Sequence, residues 1–318
     1  MIACAAAWQI LVLVILTVLL ERVELLLRII ASIPVLLTVF FYLFKNENVK
    51  AKHKKIFFTG LKVGGHRGSP KEAPENSIAG FKKAKEAKCT FVEFDIHLSS
   101  DFVPVLMHDN TTGRTSRREA VVSETSLQHI KDISLKSVRG VKDHIPTLFE
   151  AVEWCRENKM RMIFDVKDAN KKMMESLTKL IKTKNLYDIV IVSSFNAKVP
   201  YIIKKIDKNI LTGFTHRSGY MSYEDDSRST RFHTTIYFFF YRIVDDLIEL
   251  GIRSFLLPLF LGVDMLLLHH NNINGYLVED SRLYGIQVLA WTVNDKITAD
   301  FLHSINVPFL TDFPHLIT

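Results

Sequence analysis

Glu93 and Asp95 stand two residues apart in the run FVEFDIHL, and a third carboxylate, Asp165, follows the run RMIF. Residues at i and i+2 of a strand share a face, and two carboxylates so close repel unless a cation lies between them. With Asp165 contributed by another strand, three oxygen donors describe a site for a hard cation, Mg²⁺ or Ca²⁺. A solvated edge strand would also tolerate one acidic pair. The flanking Phe91, Val92, Phe94 and Ile96, together with the third carboxylate, argue for a buried site instead. His66 and His108 each close a strand-like run, LKVGGHRG and PVLMHD. A lone histidine is more often structural than catalytic. Two beside a carboxylate cluster, with ordinary pKa values near 6.5, suit an acid and a base around neutral pH. Arg67 offers a planar donor fork for phosphate oxygens and Lys167 a point charge. Such a set fits a phosphodiester clamp.

These groups need a scaffold that gathers strand ends. Strand-like runs occur at 61–68, 91–98, 104–109, 161–168, 189–195, 210–217 and 286–294, alternating with helix-like runs such as TLFEAVEWCRENK and NKKMMESLTKLIKTK. That alternation implies parallel pairing. At least seven strands in about 250 residues predict an α/β fold, a closed (β/α)₈ TIM-type barrel. Its active groups belong at the C-terminal rim, where the runs end in His66-Arg67, Glu93 and Asp95, His108 and Asp165-Val166-Lys167.

The rest of the chain departs from a soluble barrel. Residues 2–20 and 29–44 are apolar runs separated by ERVELLLR, predicted as one or two apolar helices, read separately as a spanning helix and a shorter second one. No basic leader precedes them and no small-x-small site divides them, so a retained anchor over 1–45 is expected rather than a cleaved signal peptide. Lys45, Lys50, Lys52, Lys54 and Lys55 then form a basic cluster at the end of the anchor and in a linker at 46–60, which favours a cytoplasmic membrane face. The catalytic domain is assigned to 61–318. Within it, 232–268 is long and apolar and is predicted to pack on the barrel or dip into one leaflet, because a barrel strand still follows it. The formal charge of +7 hints at anionic lipid or substrate. Cys4, Cys89 and Cys155 have no CxxC spacing, which excludes a disulfide framework or zinc site.

HRGSPKEAPENSIAGF, VEFDIHLSSDFVPVLMHDNTTGRTS, IFDVK, SSF, AWTVN and TDFP resemble the glycerophosphodiester phosphodiesterases along nearly all of 61–314. The apolar start, the DVK form and the apolar insertion look most like the vertebrate-type, membrane-bound branch. That resemblance implies metal ligation by Glu93 and Asp95, with Asp165 where many members carry Glu, and acid/base roles for His66 and His108. It also implies that Glu75 and Asn76 brace the mouth and that Trp291 packs against glycerol. The implied reaction is metal-dependent hydrolysis of glycerophosphoinositol or glycerophospho-N-acylethanolamines to glycerol 3-phosphate and an alcohol. A lysophospholipase D and an inactive membrane-anchored scaffold are the alternatives. Implied partners are a glycerophosphodiester or lysolipid substrate and membrane lipids, not nucleic acid, for an integral protein of an endomembrane or the plasma membrane.

Overall fold

The computed structural model describes residues 2–49, 51–224, 228–232 and 235–317. The chain divides into two compact units, Met1–Lys45 and Asn46–Thr318.

In the first unit, Ile2–Phe44 is one continuous α-helix that runs through the charged break and Pro34. Glu24 and Arg28, one turn apart, pair at 2.6 Å, and the Thr38 hydroxyl donates to the Pro34 carbonyl at 2.8 Å. Of the one or two helices expected, the two apolar runs form a single element. Its stretch Ile15–Phe44, 30 residues, is long and apolar enough to cross a membrane. At 1.5 Å per residue such a length exceeds the roughly 30 Å of a bilayer core.

Among the described residues the second unit is built on nine strands: β1 (Val63–Gly65), β2 (Phe91–Leu98), β3 (Pro104–Leu106), β4 (Arg161–Val166), β5 (Val190–Ser194), β6 (Leu211–His216), β7 (Met265–His269), β8 (Gln287–Trp291) and β9 (Phe309–Thr311). The order is β1-β9-β8-β7-β6-β5-β4-β2-β3, and β1 also pairs with β2. All neighbours are parallel except β2 and β3. Eight parallel strands thus close into the expected barrel, with helices between them. Several helices start on side-chain caps, Ser77, Asn170, Asn274 and Asp295, and Thr147 with Glu150 forms a full capping box.

Period-two alternation sorts the side chains into two cores. Val92, Phe94 and Ile96 of β2, with Met162, Phe164 and Val166 of β4, join the apolar layer beneath the helices. Phe91, Ile163, Ile191, Leu211, Met265 and Leu289 fill the barrel interior. Gly64 of β1 is required there, since a Cβ would lie 2.3 Å from the Phe91 ring. One step further along the same inward faces come Glu93, Asp95 and Asp165. The interior is therefore apolar toward the strand starts and acidic toward the strand ends.

Three sequence expectations change. The run 104–109 is not a barrel rung: β3 is antiparallel to β2, with Ile96 opposite Leu106. It opens an excursion with its own small core of Val105, Met107, Val122, Ile130, Ile133, Leu135 and Ile145. Second, the apolar segment 232–268 is not wholly an insertion. It holds helices Thr235–Arg253 and Leu256–Leu261, but its last residues are barrel strand β7. Third, residues 46–60 are not a free basic linker. Helix Ala51–Phe58 belongs to the barrel unit, and Phe57 and Val49 are buried against the interior core. Asp264, just ahead of β7, accepts from the Val49 N–H at 2.7 Å and pairs with Lys54 at 3.2 Å and with buried Lys204 at 2.6 Å. This segment plugs the end of the barrel opposite the acidic residues.

Candidate active site

β2 and β4 run in register with Asp95 opposite Asp165. Carboxylate oxygens of Glu93, Asp95 and Asp165 lie within 4.8 Å of one another, and all three residues are buried. Burial, then the neighbouring Asp95 and Asp165, push the Glu93 carboxyl well above its ordinary pKa. Burial opposes ionisation of Asp95 as well, but Lys167 and Arg67 outweigh it and hold that carboxyl far below the usual carboxylate range. Lys167 Nζ reaches Asp95 at 2.8 Å and also pairs with Asp165. Burial opposes its charge too, yet Asp165 and Asp95 raise its pKa. Asp165 Oδ1 is buried with no hydrogen-bond partner among the described residues. Hard oxygen donors, mutual repulsion at Glu93 and an unmatched oxygen on Asp165 fit a divalent cation.

The turn after β1 folds onto this cluster. Arg67 has φ +54° and Asn76 φ +53°, and the Asn76 N–H donates to the Arg67 carbonyl at 3.0 Å. Left-handed backbone is costly for a side-chain-bearing residue and is kept where surroundings enforce it. Here it turns the Arg67 N–H onto Glu93 Oε2 at 2.9 Å. The Arg67 guanidinium lies between Glu75, 3.1 Å away, and Asp95 at 3.4 Å. Burial works against its charge, and Asp95, Glu75 and Glu93 more than restore it. Asn76 is buried against Asp95. Glu75 is spanned by Arg114, with contacts of 2.6 and 2.8 Å.

Each histidine has a carboxylate behind it. His66 Nδ1 lies 2.7 Å from Asp312 Oδ1, while Nε2 is 4.0 Å from Glu93 Oε2. Asp312, on the residue after β9, is fixed by Asn294, whose amide nitrogen donates at 2.9 Å and whose oxygen accepts the Asp312 N–H at 2.9 Å. Burial raises the Asp312 pKa, but His66 outweighs it and keeps the carboxyl low. His108 Nδ1 meets Asp109 Oδ1 at 2.6 Å, and Arg114 holds Asp109 from the far side at 2.6 Å. Burial, the largest influence, lowers the His108 pKa, against the opposing pull of Asp95. An Nδ1–H directed at a carboxylate leaves Nε2 of each ring as the reacting nitrogen. His97 on β2 sits with Nε2 3.2 Å from the His108 carbonyl and so ties the excursion to the barrel.

Trp291, half-buried at the end of β8, donates its indole N–H to the Leu267 carbonyl at 3.2 Å. Its ring meets Phe195 and His269 edge-on at 5.5 and 5.3 Å. His66, Arg67, Glu75, Asn76, Glu93, Asp95, His108, Asp165, Lys167 and Trp291, the site candidates from the sequence, thus lie at or beside one mouth. Sequence reasoning gave no role to Asp312, Asp109, Arg114 or Asn294. Asp312 carried a usable signal, an acid one residue beyond the apolar run VPFL, while Arg114 lies in a loop with no periodic pattern.

A parallel barrel whose rim carries a buried acidic trio, two carboxylate-backed imidazoles and two cations defines the class, a barrel phosphodiesterase. Residues 66–316 match the model of the glycerophosphoryl diester phosphodiesterase family, and the chain belongs to that family. It is similar to glycerophosphodiester phosphodiesterase 1 of Homo sapiens, 30 % identical over 254 residues, covering 78 % of this chain and 76 % of that one. The protein of that name from Bos taurus is 31 % identical over 254 residues, with 78 % and 76 % covered. These relatives agree with the vertebrate-type branch expected from the motifs. Among solved structures, an Oleispira antarctica phosphodiesterase in complex with the product sn-glycerol-3-phosphate gives a TM-score of 0.61 at 24 % identity, over 82 % of this chain and 96 % of that one. A putative glycerophosphoryl diester phosphodiesterase of Agrobacterium tumefaciens gives 0.64 at 16 % identity, over 80 % and 95 %. Both likenesses establish the fold.

Proposed function

We propose that the protein hydrolyses glycerophosphodiesters such as glycerophosphoinositol or glycerophospho-N-acylethanolamines, with Mg²⁺ as the preferred ion and Ca²⁺ as the alternative. The observation that carries this reading is the convergence of Glu93, Asp95 and Asp165 oxygens within 4.8 Å, beside an imidazole 4.0 Å from Glu93. Those three residues would hold the ion, which supplies charge neutralisation at the phosphate oxygens. Arg67 orients the phosphate through its fork, and Lys167 offsets the negative charge of Asp95 and Asp165. His108, its pKa lowered by burial, enters neutral and takes a proton at Nε2 from the attacking oxygen. That oxygen belongs to water or to the neighbouring glycerol hydroxyl; the latter route expels the alcohol to leave a cyclic phosphate, whose ring P–O bond water then opens with the two histidines exchanging roles. As the bond from phosphorus to the departing alcohol breaks, His66 gives that oxygen a proton from Nε2, its ring oriented by Asp312 at Nδ1. Products are glycerol 3-phosphate and an alcohol. The helix Ile2–Phe44 anchors the protein in a membrane.

The scaffold alternative is disfavoured by the completeness of the proton-transfer pairs. A lysophospholipid substrate stays a second reading, favoured by the exposed apolar helix Thr235–Arg253. The test is a substrate panel on the purified full chain with Mg²⁺, Ca²⁺ and EDTA, reading glycerol 3-phosphate release. Divalent-dependent release from a glycerophosphodiester is expected. Absence of release from every phosphodiester with either ion would overturn the reading.

A further inference from the structure

Helix Thr235–Arg253 belongs to the connection that leaves β6 at the mouth. Ile236, Phe239, Phe240, Ile243, Leu247 and Leu250 recur at steps of three and four, so they line one face. Each is between 60 % and 76 % exposed. The opposite face, with Phe238, Asp245 and Ile252, is buried. A surface helix of a soluble domain turns its polar side outward. Here the outward side is the apolar one, and a contiguous exposed patch of that kind marks an interaction surface.

The buried face grips the mouth. The Asp245 carboxylate accepts from the N–H groups of Met221 and Ser222, both at 3.0 Å, and from the Ser222 hydroxyl at 2.6 Å. That turn follows Tyr220, whose ring stacks on Phe195 with centroids 4.4 Å apart. Phe195 in turn stands against Trp291, and Lys167 Nζ lies 6.0 Å from its ring centre. A helix with an apolar exterior therefore holds the loop that lines the catalytic opening.

We propose that Thr235–Arg253 lies in the plane of a lipid bilayer, its apolar stripe among the acyl chains. The mouth then sits at the membrane surface, where acyl-bearing phosphodiesters reach it from the bilayer rather than from water. Two observations favour a bilayer over a second copy or another protein. Exposed apolar residues continue beyond the helix at both ends, with Phe232 before it and Leu256 after it, and Phe239 widens the stripe beyond a two-position seam. That extended outline suits a planar apolar phase. Second, the same chain carries an apolar helix long enough to cross a membrane, which keeps lipid at high effective concentration, whereas another protein must arrive by diffusion. Tyr237, exposed near the start of the helix, is of a residue type enriched at membrane–water boundaries. The substrate half of the proposal rests on the phosphodiesterase reading, and the membrane half stands without it.

The test uses the full chain with Cys4 replaced by Ser, reconstituted in phosphatidylcholine–phosphatidylserine vesicles. Spin labels are placed on Ile243→Cys, Leu247→Cys and the control Ile297→Cys, an exposed barrel position. Labels at 243 and 247 should collide with oxygen in preference to an aqueous nickel chelate, by about tenfold relative to the control. Equal nickel access at all three positions, or dipolar broadening between copies, would overturn the membrane contact. In parallel, the double variant Ile243→Asp, Leu247→Asp should turn over vesicle-borne lysophospholipid about tenfold more slowly and keep the wild-type rate on water-soluble glycerophosphoinositol. Equal losses on both substrates, or no loss on either, would overturn the substrate half. A wild-type chain inert toward both substrates would also overturn that half and the phosphodiesterase reading with it, while the label depths still decide membrane contact.

Discussion

The Asn76 side chain holds Asp95 twice, its Nδ2 donating to Oδ2 at 2.8 Å and its Oδ1 accepting the Asp95 backbone N–H at 3.0 Å. One amide thus fixes both the rotamer of a carboxylate in the acidic trio and the strand that bears it. Partners that orient a ligating carboxylate typically matter 10- to 100-fold in metal affinity. Asn76→Ala should weaken Mn²⁺ binding by about that factor, measured by titrating the free-ion resonance, with the barrel still folded.

His66 and His108 are expected to act as acid and base. Removing either imidazole, in His66→Ala or His108→Ala, should lower kcat by about 10²- to 10⁴-fold. Circular dichroism should be unchanged. Rates near wild type in either variant would contradict the assignment.

Asp312 works through His66. Asp312→Asn keeps the shape but removes the acceptor that fixes the Nδ1–H tautomer and the ring orientation. A fall in kcat of about 10²-fold with KM nearly unchanged is expected, with most of the rate restored in Asp312→Glu. A merely structural role would change KM as well.

The sign of the pH dependence follows from His108. Its pKa is lowered by burial, so the neutral base is already available below the ordinary histidine value. The rate kcat/KM should therefore rise with pH through a midpoint below about 6.5, and replacement of His108 should abolish that limb. A midpoint above the ordinary value would refute the assignment of His108 as base.

The plug at the far end of the barrel is a stability element. Phe57 is fully buried against the interior core. Truncation to Ala should cost about 3–5 kcal/mol. Burial depresses the Lys204 pKa even beside Asp264, so Asp264→Ala leaves a buried ammonium unmatched, at a similar cost of roughly 3–5 kcal/mol. Urea unfolding followed by tryptophan fluorescence reads both.

Much of this molecule could be read from the chain because inward-facing positions at strand ends carry chemistry that alternation exposes: Glu93, Asp95 and Asp165 stand out against their apolar neighbours. The misreadings have physical causes. A two-residue period does not tell parallel from antiparallel pairing, so PVLMHD passed for a barrel rung although β3 folds back on β2. A fully buried strand shows no alternation, and β7 was therefore hidden in the apolar run at its end. Lys54 reads as solvated in the chain because its acidic partner, Asp264, lies over 200 positions away. Asp312 is separated from His66 by 246 positions, and only closure of the barrel between β1 and β9 brings them together.

The gathering of three carboxylates around one divalent ion is tested most directly by calorimetric Mg²⁺ or Mn²⁺ titration of the wild-type chain and of Glu93→Gln, Asp95→Asn and Asp165→Asn. One ion per wild-type chain is predicted, with affinity reduced at least tenfold in each variant and phosphodiester hydrolysis lost in EDTA. Undiminished binding in all three variants, or full activity in EDTA, would contradict the account.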